Sequence, residues 1–235
     1  MSFLKRLEGV FFNPKPVFQA LAEKPVWVDA LALILVFIVI FTAVITPITQ
    51  HDQLTMIRDS VKLKERLGED AFNRMIKDAE TPTTTSKIVR GAAGAVVMLV
   101  IALMLQSLFL MLLSRLGSPH GTFVQVLSAF VHASLIDKFL GNGVRLVLAL
   151  TKKSLMQTTT GLPLLFPRMD VTSTPYIILS QVDLFQVWMF GVLAYGLSSI
   201  LKVDLKKALF ISYGFWFLKA LVNIGITLFG MNFIS

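Results

Sequence analysis

The chain has no cysteine among its 235 residues. That excludes disulfide bridges, thiol nucleophiles and cysteine-ligated metals together. Histidine is rare as well: His51, His120 and His132 are scattered, without the HExxH spacing that sets two imidazoles on one helical face. No glycine-rich phosphate loop follows a strand, and no serine sits in a nucleophile-elbow motif. Charge is also scarce, since only 15% of the residues are Asp, Glu, Lys or Arg, against about a quarter in a soluble domain. Catalytic residues, metal ligands and cofactors are therefore all expected to be none, and an enzyme is not expected.

What is present is apolar, at 55% of the chain, and it comes in long blocks. About 20 apolar residues cross the roughly 30 Å hydrocarbon layer as a helix, whereas barrel strands would alternate over about 10 residues. The fold class expected is all-α: a polytopic helical membrane protein with five transmembrane helices and an N-terminal amphipathic helix. The spans are read at about 26–49, 88–113, 122–150, 177–201 and 208–233. Residues 1–25 form an amphipathic interfacial segment ahead of the 26–235 membrane domain. Within that segment Phe3, Leu4, Leu7, Val10 and Phe11 recur at helical spacing opposite Lys5, Arg6 and Glu8. The polar stretch 50–86 reads as two short amphipathic helices about Gly68 that end at Thr81-Pro82. The first apolar block starts near Val26 and far exceeds a signal-peptide h-region, so no cleavable signal peptide is expected.

The net charge of +8 points to an anionic lipid surface and not to nucleic acid. Placing the N-terminus inside gathers Lys5, Arg6, Lys15, Lys24, Arg115, Lys202, Lys206 and Lys207 on the cytoplasmic side. The opposite side then holds Lys152, Lys153, Arg168 and the long loop, whose basic and acidic residues nearly balance. The short loops predict a cytoplasmic N-terminus and a C-terminus on the opposite side.

Polar residues inside the spans each invite a reason, because a charge at the bilayer centre costs about 2.5–3.5 kcal/mol. The set comprises His132, Asp137, Lys138, Asn142, Arg145, Asp183, Lys219 and Asn223. Asp137, Gly141 and Arg145 lie at i, i+4 and i+8 and share a face. Matching depths predicts two pairs, Asp137 with Lys219 and Asp183 with Arg145. Gly141-Asn142-Gly143 weakens the third span at mid-length. Two readings stay open: a neutralised network that fixes helix register, or the lining of a polar intramembrane pathway in a transporter or channel. Reversing both Asp183 and Arg145 is expected to restore the fold lost in either single variant if their pair is structural.

The segment FFNPKPVFQALAEKPVW, with Asn13, Pro14, Pro25 and Trp27, and the segment VDLFQVWMFGVLAYGLSSILKVDLKKAL, with Asp183, Phe185, Trp188, Gly196, Leu197 and Ser198, resemble the Yip family. These are five-span proteins named for eukaryotic relatives that interact with Rab GTPases, and the likeness is to the bacterial branch. The resemblance implies a multi-pass protein of the bacterial inner membrane, and the amphipathic N-terminus, the small residues Gly91 to Ala95 and the absent catalytic motifs predict a non-enzymatic one that organises lipid or protein assemblies through self-association. Membrane lipids and a second copy of the chain are then the expected partners. Only about 25 residues precede the first span, where eukaryotic members carry a longer cytosolic region, and this argues against a small-GTPase partner.

Overall fold

A computed structural model describes residues 1–81, 85–154 and 160–234. Pro82 and the side chain of His51 lie outside the described residues. In chain order the helices are α1 (Phe3–Phe12), α2 (Pro14–Glu23), α3 (Val28–Asp59), α4 (Val61–Leu67), α5 (Glu69–Glu80), α6 (Thr85–Ser114), α7 (Phe123–Leu135), α8 (Asn142–Lys152), α9 (Thr174–Ser180), α10 (Leu184–Leu201) and α11 (Leu205–Ile234). A π-helical turn, Ile136–Gly141, joins α7 to α8, so the two run on as a single span. Among the described residues, five segments are long and apolar enough to cross a membrane: 28–50, 85–114, 123–152, 184–201 and 205–230.

The spans divide into a centre and a shell. The α7–α8 span is 67% buried and α10 is 56% buried, whereas α3, α6 and α11 are buried over only 17–22% of their apolar windows. Lipid is as apolar as leucine, so shell helices gain little by hiding such residues, and close packing and polar contacts must hold the centre. Phe130, Phe190 and Phe215 supply that packing from α7, α10 and α11, with Phe215 near edge-on to Phe130 at 6.1 Å. Hydroxyls then tie α11 to α10: Ser212 donates to the Phe190 carbonyl at 2.6 Å and Tyr213 to that of Val187 at 2.9 Å.

The N-terminal segment differs from the surface helix its amphipathicity predicts. Val17, Phe18 and Leu21 of α2 are fully buried. Phe18 packs at Gly196, where a Cβ would lie 2.9 Å from its ring, and Phe11 of α1 meets Trp188 at 6.0 Å. Gly196 and Trp188 are eight residues apart on α10, or about 12 Å at 1.5 Å per residue. Helix α2 therefore lies lengthwise along α10, while α1 packs on α2, α7 and α3 and touches α10 through Phe11. Pro14 starts α2 and Asn13 makes the turn before it, its N–H bonded to the Gly9 carbonyl at 2.9 Å. Arg6, expected on the polar face, is buried at 7% exposure.

Two further boundaries differ from the sequence reading. Helix α3 does not stop after Pro47 but runs on to Asp59, and α5 folds back against it, with Gln50 Nε2 donating to the Ala79 carbonyl at 2.8 Å. Gly68 separates α4 from α5 at φ 74°, a value an L side chain resists. The fourth span does not run unbroken from 177. It is interrupted at 181–183, with α9 before the break and α10 after it.

At one end of the bundle the connector before α3, the 115–121 turn and the 202–204 turn meet. Gln125 Nε2 donates to Ala22 O at 2.6 Å, Ser118 Oγ to Leu201 O at 2.7 Å, and Lys207 Nζ to Gly117 O at 2.6 Å. The opposite end carries α4, α5 and the segment 160–183, where Thr172 donates from N–H and hydroxyl to Asp170, both at 2.9 Å. Those bonds hold the exposed Asp170 carboxyl below the usual carboxylate range.

Candidate functional site

Asp183 is the residue about which the polar interior is arranged. It is the N-cap of α10, extended at φ −107° and ψ 137°, and its Oδ1 accepts from the backbone N–H groups of Phe185 (2.9 Å) and Gln186 (3.2 Å). A carboxylate here satisfies donors that a helix start leaves unpaired, and it lies at the favourable end of the helix dipole. Its Oδ2 accepts from the Thr160 hydroxyl and lies 3.0 Å from Arg145 Nη2. An antiparallel bridge between Gly161 and Asp183 fixes the loop that brings Thr160 in.

Arg145 then joins two elements. Nη2 also meets Asp137 Oδ1 at 2.9 Å, Nη1 donates to Asn142 Oδ1 at 2.7 Å, and Nε donates to Thr160 Oγ1 at 3.0 Å. The guanidinium carbon lies 5.7 Å from the centre of the Phe185 ring. Asp137, 2% exposed, has its second oxygen 2.8 Å from Lys138 Nζ. The π turn carries Asp137 and Lys138, and it ends at Gly141, where a Cβ would stand 2.9 Å from Phe185 Cγ. Without a side chain at 141, the start of α10 approaches closely enough for Asp183 to reach Arg145.

The structure thus brings together Asp137, Lys138, Asn142, Arg145 and Asp183, and the pairing of Asp183 with Arg145 is as the depth argument expects. The expected pairing of Asp137 with Lys219 is not formed. Lys219 Nζ instead donates to Gln186 Oε1 at 2.8 Å and lies 5.6 Å from the Phe190 ring centre, because α10 stands between it and the π turn. Asn223, one turn further along α11, donates to Gln181 at 3.4 Å. His132 is fully buried elsewhere, on α7: its Nδ1 lies 2.9 Å from the Ser128 carbonyl and must carry the hydrogen, while Nε2 has no partner among the described residues. Thr160, Gln181 and Gln186 were not singled out from the sequence. Gln186 did have a signal, since Asp183-x-x-Gln186 has helix-start spacing; Thr160 had none.

Of the motif residues, Trp27 is the N-cap of α3 and packs on the core, and Pro25 lies in the connector before it. Phe185 and Leu197 are buried, Trp188 is exposed beside Phe11, and Ser198 closes the end of α10 through Val203 O at 2.7 Å. Among the described residues no group of His, Asp and Glu could hold a metal ion.

A central span that carries a π turn, an interrupted fourth span and a bundle of apolar helices define an all-α multi-pass membrane protein. Residues 9–227 match the Yip1 domain, and the chain belongs to that family. Comparison with curated proteins and with solved structures finds no match.

Proposed function

We propose that the protein is a non-enzymatic organiser of membrane and protein assemblies that works by self-association. The carrying observation is that the buried ions consume one another: Arg145 spends its donors on Asp137, Asp183, Asn142 and Thr160, and Asp183 spends its acceptors on Arg145, Thr160 and the α10 backbone. Such a cluster is a clasp between the third and fourth spans. Among the described residues both carboxylates and the guanidinium are already paired and Lys138 is held by Asp137, which favours the structural reading over a transporter or channel.

Association is supported by the Gly91–Ala95 run at the start of α6. Ala93 and Gly94 are exposed, and a Cβ at Gly94 would meet nothing within 4 Å. Small residues of this kind let a second helix approach backbone to backbone. As the family resemblance implies, the setting is a bacterial inner membrane, with the basic end of the bundle in the cytoplasm.

Light scattering on protein in a mild detergent, and subunit counting in vesicles, test the reading. A dimer or larger assembly is expected, and Gly94→Leu should weaken it about tenfold while leaving the helical circular-dichroism spectrum unchanged, as loss of roughly 1–2 kcal/mol of helix contact implies. A strictly monomeric protein overturns the reading, and so does ion or proton flux through vesicles that is abolished by Asp183→Asn.

A further inference from the structure

At the basic end a cleft opens between the start of α1, the last turn of α2 and the connector into α3. It encloses about 160 Å³ and is lined by Met1, Arg6, Ala20, Leu21, Lys24 and Val26. Ordinary small-molecule pockets begin at roughly 300 Å³, so this one has room for a small group and not for a whole drug-sized ligand. Both charged side chains on its wall are cations. Lys24 is exposed, while Arg6 is buried at 7% exposure.

The Arg6 guanidinium is incompletely used. Nη2 donates to the Asp29 carboxylate and Nη1 to the Met1 carbonyl at 2.7 Å, but the Nε–H is buried without an acceptor among the described residues. Asp29 is not on the cleft wall, so its single charge, spent on Arg6, leaves Lys24 uncompensated there. Trp27, the cap of α3, follows directly, which puts the cleft at the level where aromatic residues meet lipid headgroups. A tetrahedral oxyanion offers both missing features, charge for Lys24 and an acceptor for Arg6 directly or through one ordered water.

We propose that this cleft seats a phosphate group held by Arg6 and Lys24, either the headgroup phosphate of an anionic phospholipid or free phosphate. The proposal deepens the membrane-organising reading and rests on it for the lipid source, but its readout is bound phosphate and not oligomeric state.

The test is native mass spectrometry of the full chain with phosphatidylglycerol or phosphatidylcholine, paired with phosphorus NMR of inorganic phosphate. Phosphatidylglycerol should be retained over phosphatidylcholine, and Lys24→Gln should lower that retention about fivefold, the share expected of one cation at an anionic surface. Lys15→Gln, which removes an exposed lysine outside the cleft, should leave it unchanged. Retention that survives added inorganic phosphate identifies the lipid as source. Phosphate line-broadening that is lost in Lys24→Gln, without lipid retention, identifies the free anion. The proposal is overturned if neither probe binds, if both lipids are retained and to the same extent, or if Lys15→Gln matches Lys24→Gln. Arg6→Gln is a second arm for samples that circular dichroism shows to be folded, and the lysine pair decides without it. The same spectra count subunits, so a lipid-bearing monomer sinks the association reading alone, and a dimer that retains no lipid and broadens no phosphate line sinks this one alone.

Discussion

A single guanidinium that holds two carboxylates behaves differently from two independent ion pairs. With Arg145 removed, Asp137 keeps, among the described residues, only Lys138, and Asp183 keeps Thr160 and its helix cap, so two buried charges lose compensation at once. Breaking one buried pair costs about 3–5 kcal/mol, and Arg145→Gln should reach or exceed that range in a reversible denaturation series in mixed micelles. The network also reverses the outcome that the sequence alone leads one to expect of the double reversal Arg145→Asp with Asp183→Arg. A carboxylate at 145 would face Asp137, and an arginine at 183 could not accept from the Phe185 and Gln186 N–H groups, a cap worth about 1 kcal/mol. The double reversal should therefore melt no higher than the worse single variant, and recovery to the parental melting temperature would show that Asp137 is not part of the clasp. Intramembrane charges were legible because they stand out against an apolar background. Their partners were legible only in part, since depth fixes height along a helix but not rotation about it. Depth therefore found Asp183 for Arg145 and missed Gln186 for Lys219. Thr160 lies in a loop without periodicity, and nothing in the local sequence aims it at the site.

At the scale of elements, close approach matters more than hydrophobicity. The start of α10 was written in Asp183-x-x-Gln186, but the apolar run Ile177–Leu179 before it matches a span equally well, and hydropathy alone cannot separate one interrupted helix from one continuous helix. The hairpin of α1 and α2 was hidden for a related reason: a helix with one apolar face fits a lipid surface and the side of another helix alike. Gly196 discriminates between them. A Cβ there would lie 2.9 Å from Ala129 Cβ and 2.9 Å from Phe18 Cδ1, so Gly196→Ala must push apart α7, α10 and α2. Overpacking of this sort costs about 1–3 kcal/mol, and the hairpin should become the first site cut in limited proteolysis. Gly225→Ala is the matched control, because a Cβ at Gly225 meets nothing within 4 Å; it should be neutral or slightly stabilising by the helix preference for alanine. Equal protease resistance in the two variants would mean that α2 does not dock along α10.

For the whole molecule, the two ends of the bundle differ in the balance of charge more than in its amount. The end that gathers Lys24, Arg115, Lys202, Lys206 and Lys207 is a sparse, mostly basic surface, and its turns are tied together through Ser118 and Lys207. The far end has more charged residues, but between 51 and 86 six basic residues meet seven acidic ones. Retention of Lys and Arg on the cytoplasmic side acts through short loops near span ends, so the short, basic 115–121 and 202–204 turns should decide orientation against the longer, balanced segment. The absence of cysteine makes this directly measurable, because an introduced thiol is the only one in the chain. Lys206→Cys and Lys153→Cys both fall at exposed positions on opposite ends. A membrane-impermeant maleimide applied to intact spheroplasts should label Lys153→Cys at once, and Lys206→Cys only after permeabilisation. The opposite pattern would place the basic end outside. It would also remove the cytoplasmic leaflet as the source of any lipid phosphate in the cleft at Arg6 and Lys24, since that cleft shares the end of the bundle on which Lys206 lies.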